Sequence, residues 1–251
     1  MTPEQMVSRL LYRDGLMLVL DKPAGFAVHR GPKGGESLED HFDALRFGLP
    51  RRPALAHRLD RETSGCLVLG RHRKALAQLG RLFKSGAVDK TYWAVVEGGP
   101  QADEGVIELP LGRLDASRGW WMKHDPKGQP AVTKWRVLGR SPPPSALAWL
   151  GLEPVTGRTH QLRVHCTEMG WPIVGDTIYG TAPRIGGPGL HLHAREVVVP
   201  LYKNRGPIRV VAPLPPHMRE RLLQCGWQGE TEELTRSVIP GPERSEGTRN
   251  P

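Results

Sequence analysis

The sequence predicts an α+β fold, with a mixed, mostly antiparallel central sheet flanked by helices. Segments with strand character outnumber segments with helical periodicity, and the two kinds do not alternate regularly, as they would in a doubly wound parallel sheet. The length of 251 residues, 38% of them hydrophobic, is enough for one sizeable core. Residues 1–227 are therefore predicted to form one domain. Residues 228–251 lack a sustained apolar pattern and are predicted to be a disordered tail.

The predicted strands are short apolar runs bounded by Gly, Pro or charged residues. The first segment, LMLVLDKPAGFAVHR at 16–30, is interpreted as two strands around a Lys-Pro-Ala-Gly turn. Five later segments are also predicted to be strands: KTYWAVVEG (90–98), AVTKWRVLG (131–139), ALAWLGLEP (146–154), RTHQLRVHC (158–166) and REVVVPL (195–201).

Three segments have the apolar spacing of amphipathic helices. Ser37 is suited to cap the first, Gly86 to end the second, and proline stands at the start of the third. The three segments are ESLEDHFDALRFG (36–48), RKALAQLGRLFKSG (73–86) and PPHMRERLLQCG (215–226).

The formal net charge of +9 indicates a polyanionic partner such as a nucleic acid. Cys66, Cys166 and Cys225 are widely spaced and odd in number, which favours reduced thiols over a disulfide framework or a zinc cluster. The N-terminus lacks the apolar run of a signal peptide, and no apolar stretch is long enough to span a membrane. We therefore expect a cytoplasmic protein that does not contact a membrane.

One acid stands among basic residues in LAHRLDRETSGCLVLG (55–70). Asp60 could be an ordinary surface carboxylate paired with Arg58 or Arg61. It could also be a functional group on a rigid rim, because the apolar run after Gly65 would anchor the turn on a buried strand. The residue types by themselves leave both interpretations open.

Within that stretch, HRLDRETSG (57–65) resembles the His-Arg-Leu-Asp-x-x-Thr-Ser-Gly signature of the RluA family of RNA pseudouridine synthases. The resemblance extends in family order from about Tyr12 to Trp227. Four further segments carry it: VLDKPAGFAVH (19–29), KTYWAVVEG (90–98), GRTHQLRVH (157–165) and PIVGDTIYG (172–180).

The resemblance implies a pseudouridine-synthase-like domain that isomerises uridine in RNA without a metal or organic cofactor. It makes Asp60 the catalytic aspartate, acting either as a nucleophile on the sugar or as the promoter of a glycal-type intermediate. It makes Arg163 the cation that keeps this carboxylate ionised, since desolvation alone would favour its protonation. It also implies that Tyr92 stacks on a flipped uracil, and that Arg58 fills the space the base has left. Further RNA-binding residues are expected at His57, Arg61, Thr63, Arg158, His160 and Gln161.

Two other classes of function stay open at this point. A non-catalytic basic RNA-binding protein would need the charge but not the set of Asp60, Tyr92 and Arg163. A nucleoside hydrolase would need a second acid or base, and we identify no second carboxylate in the motifs. Metal binding is disfavoured because no ligand cluster completes a site around the histidines, which are His160, His165, His191 and His193.

The expected substrate is a stem-loop of tRNA, of rRNA or of both. No accessory RNA-binding domain fits before the first motif, so the catalytic domain is expected to recognise RNA unaided. No obligate protein partner is evident, and a monomer is expected.

Overall fold

The computed structural model describes residues 1–31, 34–115 and 120–230. Within them the α+β class is confirmed. Twelve strands are present: β1 (Leu10–Arg13), β2 (Met17–Lys22), β3 (Ala54–Leu55), β4 (Ser64–Gly70), β5 (Asp89–Glu97), β6 (Glu104–Glu108), β7 (Leu111–Arg113), β8 (Met122–His124), β9 (Val132–Arg140), β10 (Leu147–Pro154), β11 (Leu192–Val199) and β12 (Ile208–Val211). The helices are α1 (Pro3–Val7), a 3₁₀ helix (Leu38–Leu45), α2 (Arg73–Lys84), α3 (Gln161–Glu168) and α4 (Pro216–Gln224).

Ten of these strands form one sheet in the order β1-β2-β4-β11-β5-β10-β9-β6, with β3 also paired to β4 and β12 to β11. The pairing of β4 with β11 is parallel, and the other pairings are antiparallel. The hairpin of β7 and β8 lies outside this sheet. The predicted mixed, mostly antiparallel sheet is therefore confirmed.

The central strand β4 is buried along its whole length because both faces of the sheet are covered. Leu67 and Leu69 point into one apolar cluster, and Cys66 and Val68 point into another. Strand alternation explains this division, since neighbouring side chains leave opposite faces. A strand packed on both faces is a rigid anchor for the loop that precedes it.

The second half of the segment at 16–30 does not form the predicted strand. Strand β2 already has β1 and β4 on its two edges, so neither edge is open to a following strand. The carbonyls of Ala27 and Val28 instead accept hydrogen bonds from the N–H groups of Leu38 and Glu39, at 2.8 and 3.3 Å. The run packs against the start of the 3₁₀ helix, so the prediction of two strands is wrong.

RTHQLRVHC, predicted as a strand, is mostly helix α3. The first six residues of α3 are all buried, so their apolar pattern does not distinguish a strand from a buried helix. The chain enters α3 through His160, whose φ is 53°. The Gln161 side chain holds this turn, because its Oε1 accepts hydrogen bonds from the Thr156 hydroxyl and the Arg158 N–H. Arg163 therefore lies on a helix, and its placement on a strand is corrected.

The other predicted elements are confirmed, with one change of type. The segments at 90–98, 131–139 and 146–154 match β5, β9 and β10 to within one residue at each end, the segment at 195–201 covers part of β11, and α2 and α4 form where expected. The segment after Ser37 is a 3₁₀ helix, in which Asp40 accepts hydrogen bonds from both the N–H and the hydroxyl of Ser37.

The tail predicted at 228–251 falls mostly on residues 231–251, which lie outside the described residues. Within the described part, Glu230 is bound to the domain. Its carboxylate pairs with the buried Arg195 and accepts a hydrogen bond from the Leu214 N–H at 3.1 Å. Separately, none of the helices in the described residues has the length and apolar character needed to cross a membrane.

Candidate active site

The loop that carries Asp60 is fixed from beneath by Lys22, the last residue of β2. Lys22 is fully buried, and its Nζ donates hydrogen bonds to the carbonyls of Pro23, Arg61 and Thr63 at 2.9, 2.9 and 2.8 Å. Burial lowers the pKa of Lys22 to about 7. Three carbonyl acceptors, however, match the three N–H donors of an ammonium group, which the neutral amine does not have. The charged form is therefore the one that this loop geometry fits.

The loop joins β4 at a close crossing with β11. Gly65 has a φ of 104°, and a Cβ on it would lie 2.2 Å from the Ala194 carbonyl oxygen, so no other residue fits. The neighbouring Ser64 hydroxyl is 2.9 Å from Nδ1 of the buried His193. These contacts fix the position at which the loop enters the sheet.

Asp60 lies in a cleft, with its side chain 21% exposed. Two groups from the region of α3 face its Oδ2, the Arg163 Nη1 and the His160 Nε2, each at 3.8 Å. Both distances are too long for hydrogen bonds, and the contact with Arg163 is an ion pair. The structure thus brings the predicted catalytic acid and its predicted cation together.

Arg163 is held by a second acid, Asp176. Its Nε and Nη2 donate to the two Asp176 oxygens at 2.8 Å each, which leaves Nη1 to face Asp60. Burial by itself would lower the pKa of Arg163, but the hydrogen bonds and charge of Asp176 outweigh it and raise that pKa. Two-pronged pairing fixes the plane of the guanidinium. Arg163 is therefore permanently charged, and its Nη1 is held facing Asp60.

His160 is held by Tyr179, whose hydroxyl is 2.7 Å from the His160 Nδ1. Burial lowers the pKa of His160, although the charge of Asp60 acts in the opposite direction, so we assign a neutral ring at neutral pH. The Tyr179 oxygen accepts a hydrogen bond from the Met122 N–H at 2.9 Å, so its own hydrogen can go to Nδ1. The His160 proton then sits on Nε2, facing Asp60.

Tyr92, on β5, lines the same cleft and is half-buried. Burial raises the pKa of the Tyr92 phenol, and the nearby charge of Asp60 raises it further, so the hydroxyl keeps its proton. Side chains alternate between the two faces of β5: Ala94 belongs to the apolar cluster that Tyr92 contacts, whereas Val95 belongs to a different one.

The cleft has a volume of about 1210 Å³, above the roughly 300–1,000 Å³ of pockets for single small molecules. It is open to a polymer and carries many cationic side chains. Those lining it are Arg58, Lys84, Lys90, Lys134, Arg158 and Arg163.

Arg58 stands at the exposed rim of this cleft. Its Nη2 donates a hydrogen bond to the Thr159 hydroxyl at 2.7 Å, which joins the Asp60 loop to the segment before α3. An exposed guanidinium on one such bond can be released when RNA enters.

Three of the other predicted RNA-binding residues are committed to the fold. The Nε2 of His57 accepts from the Val68 N–H at 3.0 Å, its ring stacks on Phe83, and burial lowers its pKa to about 4. Gln161 is 3% exposed and uses both ends of its amide in internal hydrogen bonds. Thr63 is 2% exposed. Contact of these residues with RNA stays a prediction.

Arg61 and Arg158 are exposed, and each also braces the backbone. The Nε of Arg61 donates to the Gly25 carbonyl at 2.9 Å, and that of Arg158 to the Pro130 carbonyl at 3.0 Å.

The other histidines singled out in the sequence are internal. His165 contacts the Thr133 hydroxyl and the Leu109 carbonyl at 2.9 and 3.0 Å, and His191 and His193 are buried in β11 or just before it. In the part of the chain that the structure describes, no three His, Cys, Asp or Glu side chains are grouped to hold a metal ion.

Two residues of the site were missed, although both lie in the quoted motif PIVGDTIYG. Asp176 is a second motif carboxylate, so the interpretation that none exists is wrong. Tyr179 orients His160. The acid was visible as a letter in the sequence, but its pairing with Arg163 depends on how α3 packs, which residue spacing does not give.

Comparison with known proteins agrees with this geometry. Residues 16–168 match the family model described as RNA pseudouridylate synthase. The chain is 42% identical over 84% of its length to an uncharacterized RNA pseudouridine synthase of Zymomonas mobilis, covering 95% of that protein. It is 34% identical over 85% of its length to the ribosomal large subunit pseudouridine synthase C of Vibrio cholerae, covering 68% of it.

Among solved structures, the human RNA pseudouridylate synthase domain containing 4 superposes with a TM-score of 0.74 at 27% identity, over 89% of this chain and 95% of that one. Fold, site and relatives together define an isomerase that acts on RNA. The chain belongs to the RluA family of RNA pseudouridine synthases, as its motifs predicted.

Proposed function

We propose that this enzyme converts specific uridines of structured RNA, in tRNA, rRNA or both, to pseudouridine, with Asp60 as the catalytic carboxylate. The observation that carries the proposal is the position of Asp60 in a cationic cleft, 3.8 Å from an arginine whose other nitrogens are fixed. A surface carboxylate paired with a mobile arginine would have no cation held at a fixed distance from it.

The reaction breaks the bond from the ribose carbon 1′ to the uracil nitrogen 1 and forms one from the same carbon to ring carbon 5. Ring carbon 5 then loses a proton and nitrogen 1 gains one. No redox change occurs and no outside group is transferred, so the atoms and electrons of the reaction balance without a cofactor. Asp60 acts as the nucleophile on the sugar or as the promoter of a glycal-type intermediate.

Both routes need an ionised carboxylate in a partly dry site. Arg163 supplies the positive charge on one side, and the His160 N–H faces the same oxygen. Because Asp176 and Tyr179 fix these two groups, little rearrangement is needed when substrate enters.

The uridine has to leave its stack before its sugar reaches Asp60, at a cost of a few kcal/mol. Arg58 is placed at the rim to enter the vacated space after releasing Thr159. Tyr92 offers an aromatic face inside the cleft for the extruded uracil, and its protonated hydroxyl lies close enough to Asp60 for the charge of that carboxylate to raise its pKa.

The names of several relatives favour large-subunit rRNA as the first RNA to test. The chain is 34–35% identical to ribosomal large subunit pseudouridine synthase C from Vibrio cholerae and Haemophilus ducreyi. A tRNA substrate stays part of the proposal until both RNAs have been assayed.

The test is incubation of the purified protein with total RNA from cells that lack it, followed by mapping of new pseudouridines at nucleotide resolution. Asp60→Asn keeps the size of the side chain and removes its charge, so it should bind RNA and give no product. The matched control is Glu220→Gln, an exposed acid on α4, which should behave as wild type. Turnover by Asp60→Asn within tenfold of wild type would overturn the assignment.

A further inference from the structure

Trp120, just before β8, is the one aromatic residue among the large hydrophobic side chains that are exposed in the described part of the chain. It is 56% exposed. Tryptophan is usually well buried because its ring offers a large apolar area. Leaving half of this ring in water needs a reason, and neither the fold nor the proposed chemistry supplies one.

The Trp120 ring is supported without being covered. The His160 and Trp121 rings lie 5.5 and 5.7 Å from it, at interplanar angles of 78° and 74°. Both contacts are close to perpendicular, so neither neighbour stacks on Trp120 in parallel. The ring is therefore held in place while retaining area for a parallel partner.

Trp120 also stands beside the reaction centre. His160 is its perpendicular neighbour, and the same imidazole faces Asp60 at 3.8 Å. A single side chain thus separates Trp120 from the Asp60 carboxylate. Trp120 does not line the cleft itself, whereas His160 does, so His160 links Trp120 to the wall of the cleft.

Exposed cations stand on the hairpin that Trp120 leads into and beside its neighbour Trp121. The Arg184 guanidinium lies 5.9 Å from the Trp121 ring centre, and Arg113 and Lys123 are exposed on the same hairpin of β7 and β8. Aromatic faces among cations suit a nucleic acid strand, in which bases stack on rings while phosphates meet the positive charges. The core of a surface that binds a protein partner would instead be depleted of charged residues.

We propose that Trp120 is a stacking platform for a nucleotide adjacent to the target uridine. This inference rests on the proposed function. When the uridine turns into the cleft toward Asp60, Arg58 enters the space it leaves, and the Trp120 ring is positioned to stack on the base of an adjacent nucleotide. Tyr92 serves the target base inside the cleft, and Trp120 serves a flanking base outside it. Trp120 is thus a positioning residue for the RNA.

Two substitutions separate stacking from packing. Trp120→Phe keeps an aromatic face, whereas Trp120→Leu keeps apolar bulk beside His160 and loses that face. Leu223→Ala, on α4, is the control, because Leu223 is 53% exposed and lies outside the cleft. Unmodified rRNA and tRNA transcripts are the probes. RNA affinity, single-turnover rate at saturating RNA and thermal melting are measured for each variant.

We expect Trp120→Leu to weaken RNA affinity by about 5- to 150-fold, the range for loss of one base–aromatic stack. The rate at saturating RNA should stay within about threefold of wild type, and Trp120→Phe should recover most of the affinity. Equal affinity for wild type and Trp120→Leu would overturn the proposal. So would a lower saturated rate with unchanged affinity, which would mean that Trp120 acts only by holding His160.

A cycle with modified RNA gives a second readout. Once a target uridine has been mapped, a hairpin containing it is prepared with an abasic nucleotide on one side or the other. For the stacked position, base removal should weaken binding to wild type and leave binding to Trp120→Leu unchanged. Additive losses at both positions would overturn the stacking role. No product from the wild-type protein on any transcript would instead overturn the proposed function, and with it this inference.

Discussion

Substitution of Asp176 by Asn tests whether the active-site cation depends on its buried partner. Asp176 is fully buried and accepts from the Arg163 Nε and Nη2, and from the N–H groups of Ile178 and Tyr179. Asn keeps the Oδ1 contacts but places an NH₂ group opposite the Arg163 Nε. Breaking a buried pair from one side typically costs about 3–5 kcal/mol. We expect a loss of about 3 kcal/mol, the low end of that range, because Asp60 remains near Arg163.

The assay is urea unfolding at pH 7 with Asp103→Asn as the control. Asp103 pairs with Arg140 at 2.8 Å, but the two side chains are 85% and 41% exposed, so this change should cost only about 0–1 kcal/mol. The single-turnover rate of Asp176→Asn should also fall on the order of 100-fold, because the Arg163 guanidinium is no longer held in a fixed position facing Asp60. A stability loss equal to that of the control would refute the buried pair as a source of stability.

The pH dependence of Asp176→Asn gives an independent check. Burial acts to raise the pKa of Asp176, but the hydrogen bonds and charge of Arg163 outweigh it and lower that pKa. A lowered folded-state pKa contributes stability above the unfolded value of about 3.9, and this contribution is lost as the pH falls below it. The difference in unfolding free energy between wild type and Asp176→Asn should therefore be full at pH 7 and shrink below about pH 4. A difference that is constant down to pH 3 would contradict this reasoning.

Three further predictions concern Arg163, Arg58 and Glu230. Arg163→Met should strongly reduce turnover at neutral pH and move the acidic limb of the single-turnover rate profile to higher pH. Arg163→Lys should restore only part of the turnover, since lysine lacks the two-pronged geometry of the guanidinium. An unmoved acidic limb in the Met variant would exclude the pairing with Asp60. Arg58→Ala should slow turnover more on a structured hairpin than on a flexible single strand, because flipping costs less when the base is already unstacked; equal losses on both substrates would point to a role at Asp60. Glu230→Gln should lower the free energy of unfolding at pH 7 by about 1–3 kcal/mol in urea titrations, because Arg195 is 3% exposed and loses its anion. Burial alone would raise the pKa of Glu230, but Arg195 lowers it, so this contribution should be present above about pH 4.5 and disappear as the pH falls further; an effect that persists at pH 3 would contradict the ion pair.

Much of the fold could be predicted from the sequence because its strands have strong local signals. Segments such as KTYWAVVEG combine β-branched and aromatic residues with alternation, and β5 forms where expected. The segment that became α3 has no such signal, since its buried residues leave no polar face. Burial on all sides is decided by the surrounding chain, which a local pattern does not contain.

The candidate site shows the same division. Asp60, Arg163 and Tyr92 are found at one cleft, as the motifs implied, because each motif holds its own residue in a recognisable local context. Asp176 and Lys22 act across the fold, and their partners are 13 and up to 41 residues away. Contacts between distant residues depend on packing, so the roles of Asp176 and Lys22 could not be predicted from the sequence although both residues lie in recognised motifs.

The contacts of Lys22 have a consequence for which sequences this loop tolerates. Its ammonium group binds only main-chain carbonyls, those of Pro23, Arg61 and Thr63. A main-chain carbonyl is the same whichever side chain its residue bears, so the hydrogen bond from Lys22 does not depend on the side chain at position 61. The Lys22 contacts therefore place no restriction on the side chains of the loop, whereas an added or deleted residue would shift the carbonyls away from the amine. In evolutionary terms, the length of this loop should be strictly kept, whereas an exposed position to which no role is assigned, such as Glu62, can vary.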